Sequence, residues 1–189
     1  FQSGTLWDGA SVNPRGFTMP SCAMSGQGHV LLGATYAGAN DRAGCALATR
    51  LAGDPPGAIS APILAVVAPG NYNAQSVTPQ RWGDMSKVDV DPTDDQTMWA
   101  FVEYCNADNL WGVRVIQLLA PPPATPTSAS PSSLPPGASN QTVVLTGTSS
   151  GGSGFYDTEP GVNRMQVSVS GTGVSVTNIV FNGPTQATL

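Results

Sequence analysis

The chain has 189 residues, a net charge of −5 and a charged fraction of 10%, against about 25% in an average soluble domain. Seven Lys and Arg stand against twelve Asp and Glu, which argues against nucleic-acid binding by phosphate neutralisation. The 22 Gly and 17 Pro argue against a helical bundle, and the longest apolar stretch, residues 59–68, is broken by Pro62 and falls short of the roughly 20 residues of a membrane helix.

The first apolar runs are 29–37 (HVLLGATYA), 44–51 (GCALATRL) and 63–68 (ILAVVA). Stronger strand patterns follow at 85–90 (MSKVDV), 98–105 (MWAFVEYC) and 111–119 (WGVRVIQLL). In MWAFVEYC one face carries Met98, Ala100, Val102 and Tyr104, and the other carries Trp99, Phe101, Glu103 and Cys105. Both faces are largely apolar, as in a strand buried on both sides between stacked sheets or inside a propeller. Gly, Pro, Asn and Asp punctuate the gaps at hairpin-like intervals.

Residues 120–139 (APPPATPTSASPSSLPPGAS) hold seven prolines and almost no large apolar side chain. Such a stretch cannot bury enough surface to offset its ordering entropy, and is expected to be an extended linker. Beyond it, 142–147 (TVVLTG), 164–170 (RMQVSVS), 173–176 (GVSV) and 178–181 (NIVF) read as short strands, with a turn at Gly171-Thr172-Gly173. The fold class is therefore all-β: a propeller-like or sandwich β domain at 5–119, a Pro/Ser/Thr-rich linker at 120–139, and an immunoglobulin-like β-sandwich module, expected to be incomplete, at 140–189. Phe1-Gln2-Ser3-Gly4 matches the end of a protease-site tag, the alternative being a piece cut from a longer precursor; Thr188-Leu189 stop within a strand-like run, which supports the second, so the chain is expected to be a fragment or processed product.

Cys22, Cys45 and Cys105 occur without CxxC or Cys/His ligand spacing. A single lysine, a pI near 4.4 and Ser/Thr/Gly/Pro enrichment point to an extracellular or cell-surface setting. A Cys22–Cys45 bridge and three buried thiols are both open readings. Asn140-Gln141-Thr142 is a glycosylation sequon.

Asp89, Asp91, Asp94 and Asp95 form an acidic turn, DVDPTDD. Clustered carboxylates of this kind supply the oxygen ligands that calcium prefers, so calcium is the candidate ion. The plainer alternative is a turn in which Asp side chains cap their own backbone. Arg81–Asp84 and Glu103–Arg114 read as structural ion pairs holding strands in register, rather than as a catalytic set. Glu103 and Tyr104 are adjacent on one strand and point to opposite faces. His29, the sole histidine, lacks a nucleophile elbow beside it and reads as a hairpin residue. Of Trp7, Trp82, Trp99 and Trp111, Trp7 is the candidate ligand contact, because the other three accompany the most apolar strands.

The segment from Arg81-Trp82-Gly83-Asp84 through Asp91-Pro92 and Glu103-Tyr104 to Trp111-Gly112-Val113-Arg114 resembles a motif of large secreted bacterial proteins with sialidase-like β-propellers. Met85 stands where that motif usually has Tyr. Pro20-Ser21-Cys22-Ala23-Met24 and Gly28-His29-Val30 resemble the preceding blade, so that the resemblance covers about residues 17–119. Residues 140–189, through Thr142-Val143-Val144-Leu145-Thr146-Gly147-Thr148 and Gly171-Thr172-Gly173-Val174, resemble immunoglobulin-like modules of the IPT/TIG kind. About a hundred residues make two blades, whereas closed propellers have roughly 4–8.

The resulting expectation is a secreted structural or adhesive, non-enzymatic component that assembles with other chains or fragments through β-sheet contacts. The alternative is the C-terminal piece of a glycan-binding or glycoside-hydrolysing propeller protein, whose mark would be aromatic and carboxylate groups around one open cleft.

Overall fold

The structure is a computed structural model that describes residues 3–76, 78–156, 165–170 and 172–189. Its regular elements are all strands: β1 (Arg15–Met24), β2 (Val30–Gly38), β3 (Gly44–Arg50), β4 (Ile63–Val66), β5 (Lys87–Val90), β6 (Thr97–Ala107), β7 (Leu110–Leu119), β8 (Thr125–Ser130), β9 (Val144–Thr148), β10 (Val180–Gly183) and β11 (Gln186–Thr188). They form three antiparallel sheets, ordered β1-β2-β3-β4, β5-β6-β7 and β10-β11-β9-β8, and none closes on itself. The chain divides into two compact units, one holding residues 1–25 and 29–120, the other 26–28 and 121–189.

In the first unit the two meander sheets pack face to face. Strict alternation decides which side chains meet. Leu31, Cys45 and Leu47 from the first sheet face Val88, Met98, Ala100 and Val102 from the second. Leu31 and Val102 are fully buried, and each contributes about 1.5–3 kcal/mol by leaving water. Gly33 allows the close approach: a Cβ there would sit 3.1 Å from Val102 Cγ2 and 3.2 Å from Val88 Cγ2. Hydrogen bonds also cross between the sheets, from Thr35 Oγ1 to the Glu103 carbonyl at 2.8 Å and from the Val88 N–H to Ser21 Oγ at 2.9 Å.

The outer face of the first sheet is covered as well, which leaves Ala34, Tyr36, Ala46 and Ala48 buried. Tyr36 lies over Gly44, whose missing side chain makes room for the ring. The outer face of the second sheet is different. The face of β6 that begins with Trp99 is not fully buried: Phe101 is exposed, and so are Trp111, Val113, Val115 and Leu119 on the paired side of β7. The two-sided burial expected for MWAFVEYC thus holds for the core face and only in part for the other, where Cys105 is buried, Trp99 and Glu103 half-buried and Phe101 exposed, since no described strand covers that face.

The second unit is one antiparallel sheet around Ala124, Phe155 and Ala187, with Leu145, Met165 and Phe181 packed against them. Phe155 covers Gly147, where a Cβ would sit 2.8 Å from the ring. The Pro-rich stretch is not a spacer throughout, since Thr125–Ser130 pairs with β9 as an edge strand. Arg164 and Gly171 lie outside the described residues, and residues 165–170 and 173–176 carry no strand.

All three cysteines are free. Cys22 pairs opposite Leu32 and Cys45 opposite Thr35, so β2 separates them and they face opposite sides of the sheet, which leaves no bridge between them. Burial pushes the Cys45 thiol up to about 12. A thiol-specific reagent at neutral pH should therefore modify the exposed Cys22 quickly and leave Cys45 and Cys105 unmodified until the protein unfolds, a difference readable by intact mass.

Candidate functional site

Between β4 and β5 lie residues 67–86, whose described residues belong to no regular element, and loops of such length are usually either functional or linker segments. It is pinned to the β6–β7 turn. The Asn71 N–H donates to Asp108 Oδ1 at 2.8 Å, the Asn109 N–H to the Asn71 carbonyl at 2.8 Å, and the Asn73 N–H to Asn109 Oδ1 at 2.7 Å. Arg42 adds a bond from Nη1 to the Pro69 carbonyl at 2.6 Å. Gly70 passes so close to Ala107 and Asp108 that any side chain would strike their backbone.

This docking brings Tyr72, Trp82 and Gly83 against Glu103 of β6 and Trp111 of β7, and together with Gln75 and Arg81 they line a cleft of about 170 Å³. The Tyr72 and Trp82 rings meet edge to face, with centroids 5.0 Å apart and planes at 87°. Glu103 pairs across the ladder with Val113 and Cys105 with Trp111, so Glu103 and Trp111 are diagonal neighbours on one face. Gly83 sits where a Cβ would fall on the Glu103 carboxylate. Thr35 joins the parts from beneath: its buried hydroxyl donates to the Glu103 carbonyl and accepts from Trp82 Nε1 at 3.4 Å.

The Glu103 carboxylate forms no hydrogen bond and no ion pair among the described residues. Burial first, and then the field of Asp84, raise its pKa above the ordinary value of 4.5. The expected Glu103–Arg114 pair is not made, because Arg114 lies opposite Val102 on the other face of the ladder. Arg81 does pair with Asp84 at 2.7 Å, but both are largely exposed, and they lie in the loop rather than between strands.

The other sequence candidates lie elsewhere. Trp7 is 72% exposed and lines a separate cleft of about 390 Å³ with Arg15, Phe17 and Leu64. Asp8 beside it accepts from the Ala10 and Arg15 N–H groups and pairs with Arg15, so that cleft holds no unmatched carboxylate. In the acidic turn Asp91 accepts from the Thr93 hydroxyl at 2.6 Å and from Trp99 Nε1 at 3.3 Å, and Asp94 from the Thr97 hydroxyl at 2.6 Å. These hydroxyl bonds first, and backbone N–H bonds next, lower both carboxyl pKa values. Asp89 pairs with Lys87 at 3.2 Å, and Asp95 adopts a left-handed turn conformation, with φ at 53°. Among the described residues no three His, Cys, Asp or Glu side chains converge to hold a metal. His29 is buried, its Nδ1 accepting from the Ala52 N–H at 3.1 Å, and burial lowers its pKa. Asn140 is exposed.

No protein-family model, no curated protein and no solved structure matches this chain.

The cleft was only partly foreseeable. Arg81, Trp82, Glu103 and Trp111 were all conspicuous in the sequence, but Tyr72 was not, since its role depends on how the loop docks. Two outcomes follow from the geometry. Thr35→Val removes the shared hydroxyl, which leaves the Glu103 carbonyl only the weak Cys45 thiol contact and Trp82 Nε1 without its acceptor, and should lower the unfolding free energy in urea by about 1–3 kcal/mol. For Glu103, a raised folded-state pKa means that the native state holds its proton longer than the unfolded state. Its stabilising contribution is full below pH 4.5 and is lost as pH rises through the folded-state pKa. Glu103→Gln should therefore raise Tm at neutral pH, and the gain should disappear in thermal scans below pH 4.

Proposed function

We infer that this protein is a non-enzymatic, secreted structural component that assembles with other chains or fragments by packing the outer face of its β5-β6-β7 sheet against further β-structure. The observation that carries this reading is the exposed cluster of Phe101, Val113 and Val115 on that face, with Leu119 beyond Gln117, beside a β7 edge that no described strand pairs. Contiguous exposed apolar surface of this kind marks interaction sites. Natural sheets normally protect a long edge with charge, bulges or proline. β7 carries only Arg114 as a charged residue among its ten, and no proline.

The two meander sheets of the first unit also support a kinship with propeller blades. Each is a short antiparallel meander, and they stack face to face, as successive blades do. In that reading the open face of the second sheet is where the next blade packs. The low lysine content and Gly/Pro-rich composition support an extracellular setting.

The test is the association state of the purified chain. Light scattering across a concentration series should show a dimer or larger species. Val115→Lys, alone or with Val113→Lys, should weaken that association about tenfold or more while the far-UV circular dichroism stays unchanged. A wild-type chain that remains a monomer at every concentration would overturn the reading.

A further inference from the structure

The cleft of Tyr72, Trp82, Trp111 and Glu103 sets a carboxylate without a counterion beside three aromatic side chains, and that pairing points to one ligand chemistry. The Tyr72 and Trp82 rings stand at 87° to each other, and Trp111 comes from a separate element, so the aromatic surface is not one flat platform. Arg81 is matched by Asp84, which leaves the Glu103 carboxylate as the unmatched charge. Gln75 is occupied by the loop: its side-chain oxygen accepts from the Arg81 N–H at 3.2 Å, and its backbone N–H donates to Gln80 Oε1 at 2.8 Å.

A sugar ring asks a site for several donors and acceptors at fixed positions. The cleft also holds the Tyr72 hydroxyl and the Gln75 amide nitrogen, but its distinguishing feature is a carboxylate without a counterion beside three aromatic side chains. An organic cation asks for π-faces to hold its methyl or methylene groups, and for a carboxylate to offset its charge. The volume decides the size class. About 170 Å³ is below the roughly 300–1,000 Å³ of pockets that take drug-sized ligands, so a single head group fits and an extended chain does not.

We propose that the Tyr72–Trp82–Trp111–Glu103 cleft is a binding site for a small alkylated ammonium group, such as a quaternary ammonium head. The aromatic rings surround the cation and the Glu103 carboxylate balances its charge. The site does not depend on the assembly reading, since its walls and carboxylate belong to one chain.

The experiment is a titration of the full chain with choline, read by Trp fluorescence and by calorimetry, beside glucose and the neutral isostere 3,3-dimethylbutanol. Choline should bind saturably, in the roughly millimolar range expected of a small cation site. The neutral isostere should bind about tenfold more weakly or worse. Glu103→Gln should reduce choline affinity by a similar factor without affecting the isostere. Trp82→Ala disturbs packing against Tyr72, so Trp111→Ala, at a 62% exposed position, serves as the second aromatic variant and should also weaken binding. An absence of saturable choline binding, equal binding of the neutral isostere, or preferential binding of glucose would each overturn the proposal. Light scattering on the same samples reports association separately.

Discussion

The close approach of the two sheets at Gly33 is the constraint on which the first unit rests. Sheets that stack face to face normally stand about 10 Å apart, with side chains filling the gap. At Gly33 the gap is filled from one side only, by Val88, Ala100 and Val102. Their proximity lets Thr35 and Cys45 reach backbone carbonyls of the opposite sheet, at Glu103 and Val102. Thr35 then also accepts from Trp82. The chain of consequence runs from a missing side chain, to a close local contact across the sheets, to a hydroxyl that bonds both the Glu103 carbonyl and the Trp82 indole. The cleft is thus a product of core packing as much as of the loop that covers it.

Alternation in the sequence carried most of the first unit. MWAFVEYC and WGVRVIQLL divide into faces by simple parity, and the core takes Met98, Ala100, Val102, Ile116 and Leu118 as that parity requires. Parity also predicts that Glu103 and Arg114 cannot meet across this ladder, but only once the register is known, and register follows from the turn at Ala107–Leu110. Two strands escaped the pattern for one shared reason. β1 contains Pro20 and β8 contains Pro126, and a proline within a run argues against a strand. Both strands lie at sheet edges, with register shifts at Thr18/Ser21 and Pro126/Ser128, which is where the missing N–H is tolerated. The docking of 67–86 was illegible because it depends on Gly70 meeting the backbone of a turn some forty residues away, and local patterns do not encode such a contact. The acidic turn shows the reverse case: the Thr93 and Thr97 hydroxyls that engage Asp91 and Asp94 are near neighbours in sequence, so the self-capping reading was available from the residues alone.

The outer face of the β5-β6-β7 sheet brings two features that work against stability close together. The core is tightly packed, and the acidic turn is satisfied by its own hydroxyl and backbone groups. The Glu103 carboxylate, by contrast, is partly desolvated without a partner, and Phe101, Val113 and Val115 stand in water beside it. Sequences that specify one structure tend to agree at every level, and they break the rules where a function requires it. An unmatched carboxylate ringed by aromatic side chains and an uncovered apolar sheet face are two such breaks. Neither helps the isolated chain fold, and each becomes favourable when something binds: a cation offsets the charge, and a second sheet buries the face.

Trp111 belongs to both. Its ring lines the cleft, and its backbone lies on the open edge strand, next in the row to Val113. If, as proposed, a sheet packs over that row, it would constrain the ring and dry the surface beside it, and both changes would act on a bound cation. Coupling of this kind is reciprocal, so whatever factor assembly applies to cation affinity, the cation applies to assembly. Desolvation strengthens the attraction between a cation and both π-faces and carboxylates. Where both proposals hold, the coupling through Trp111 is favourable if the partner leaves the cleft accessible, while each site remains measurable without the other.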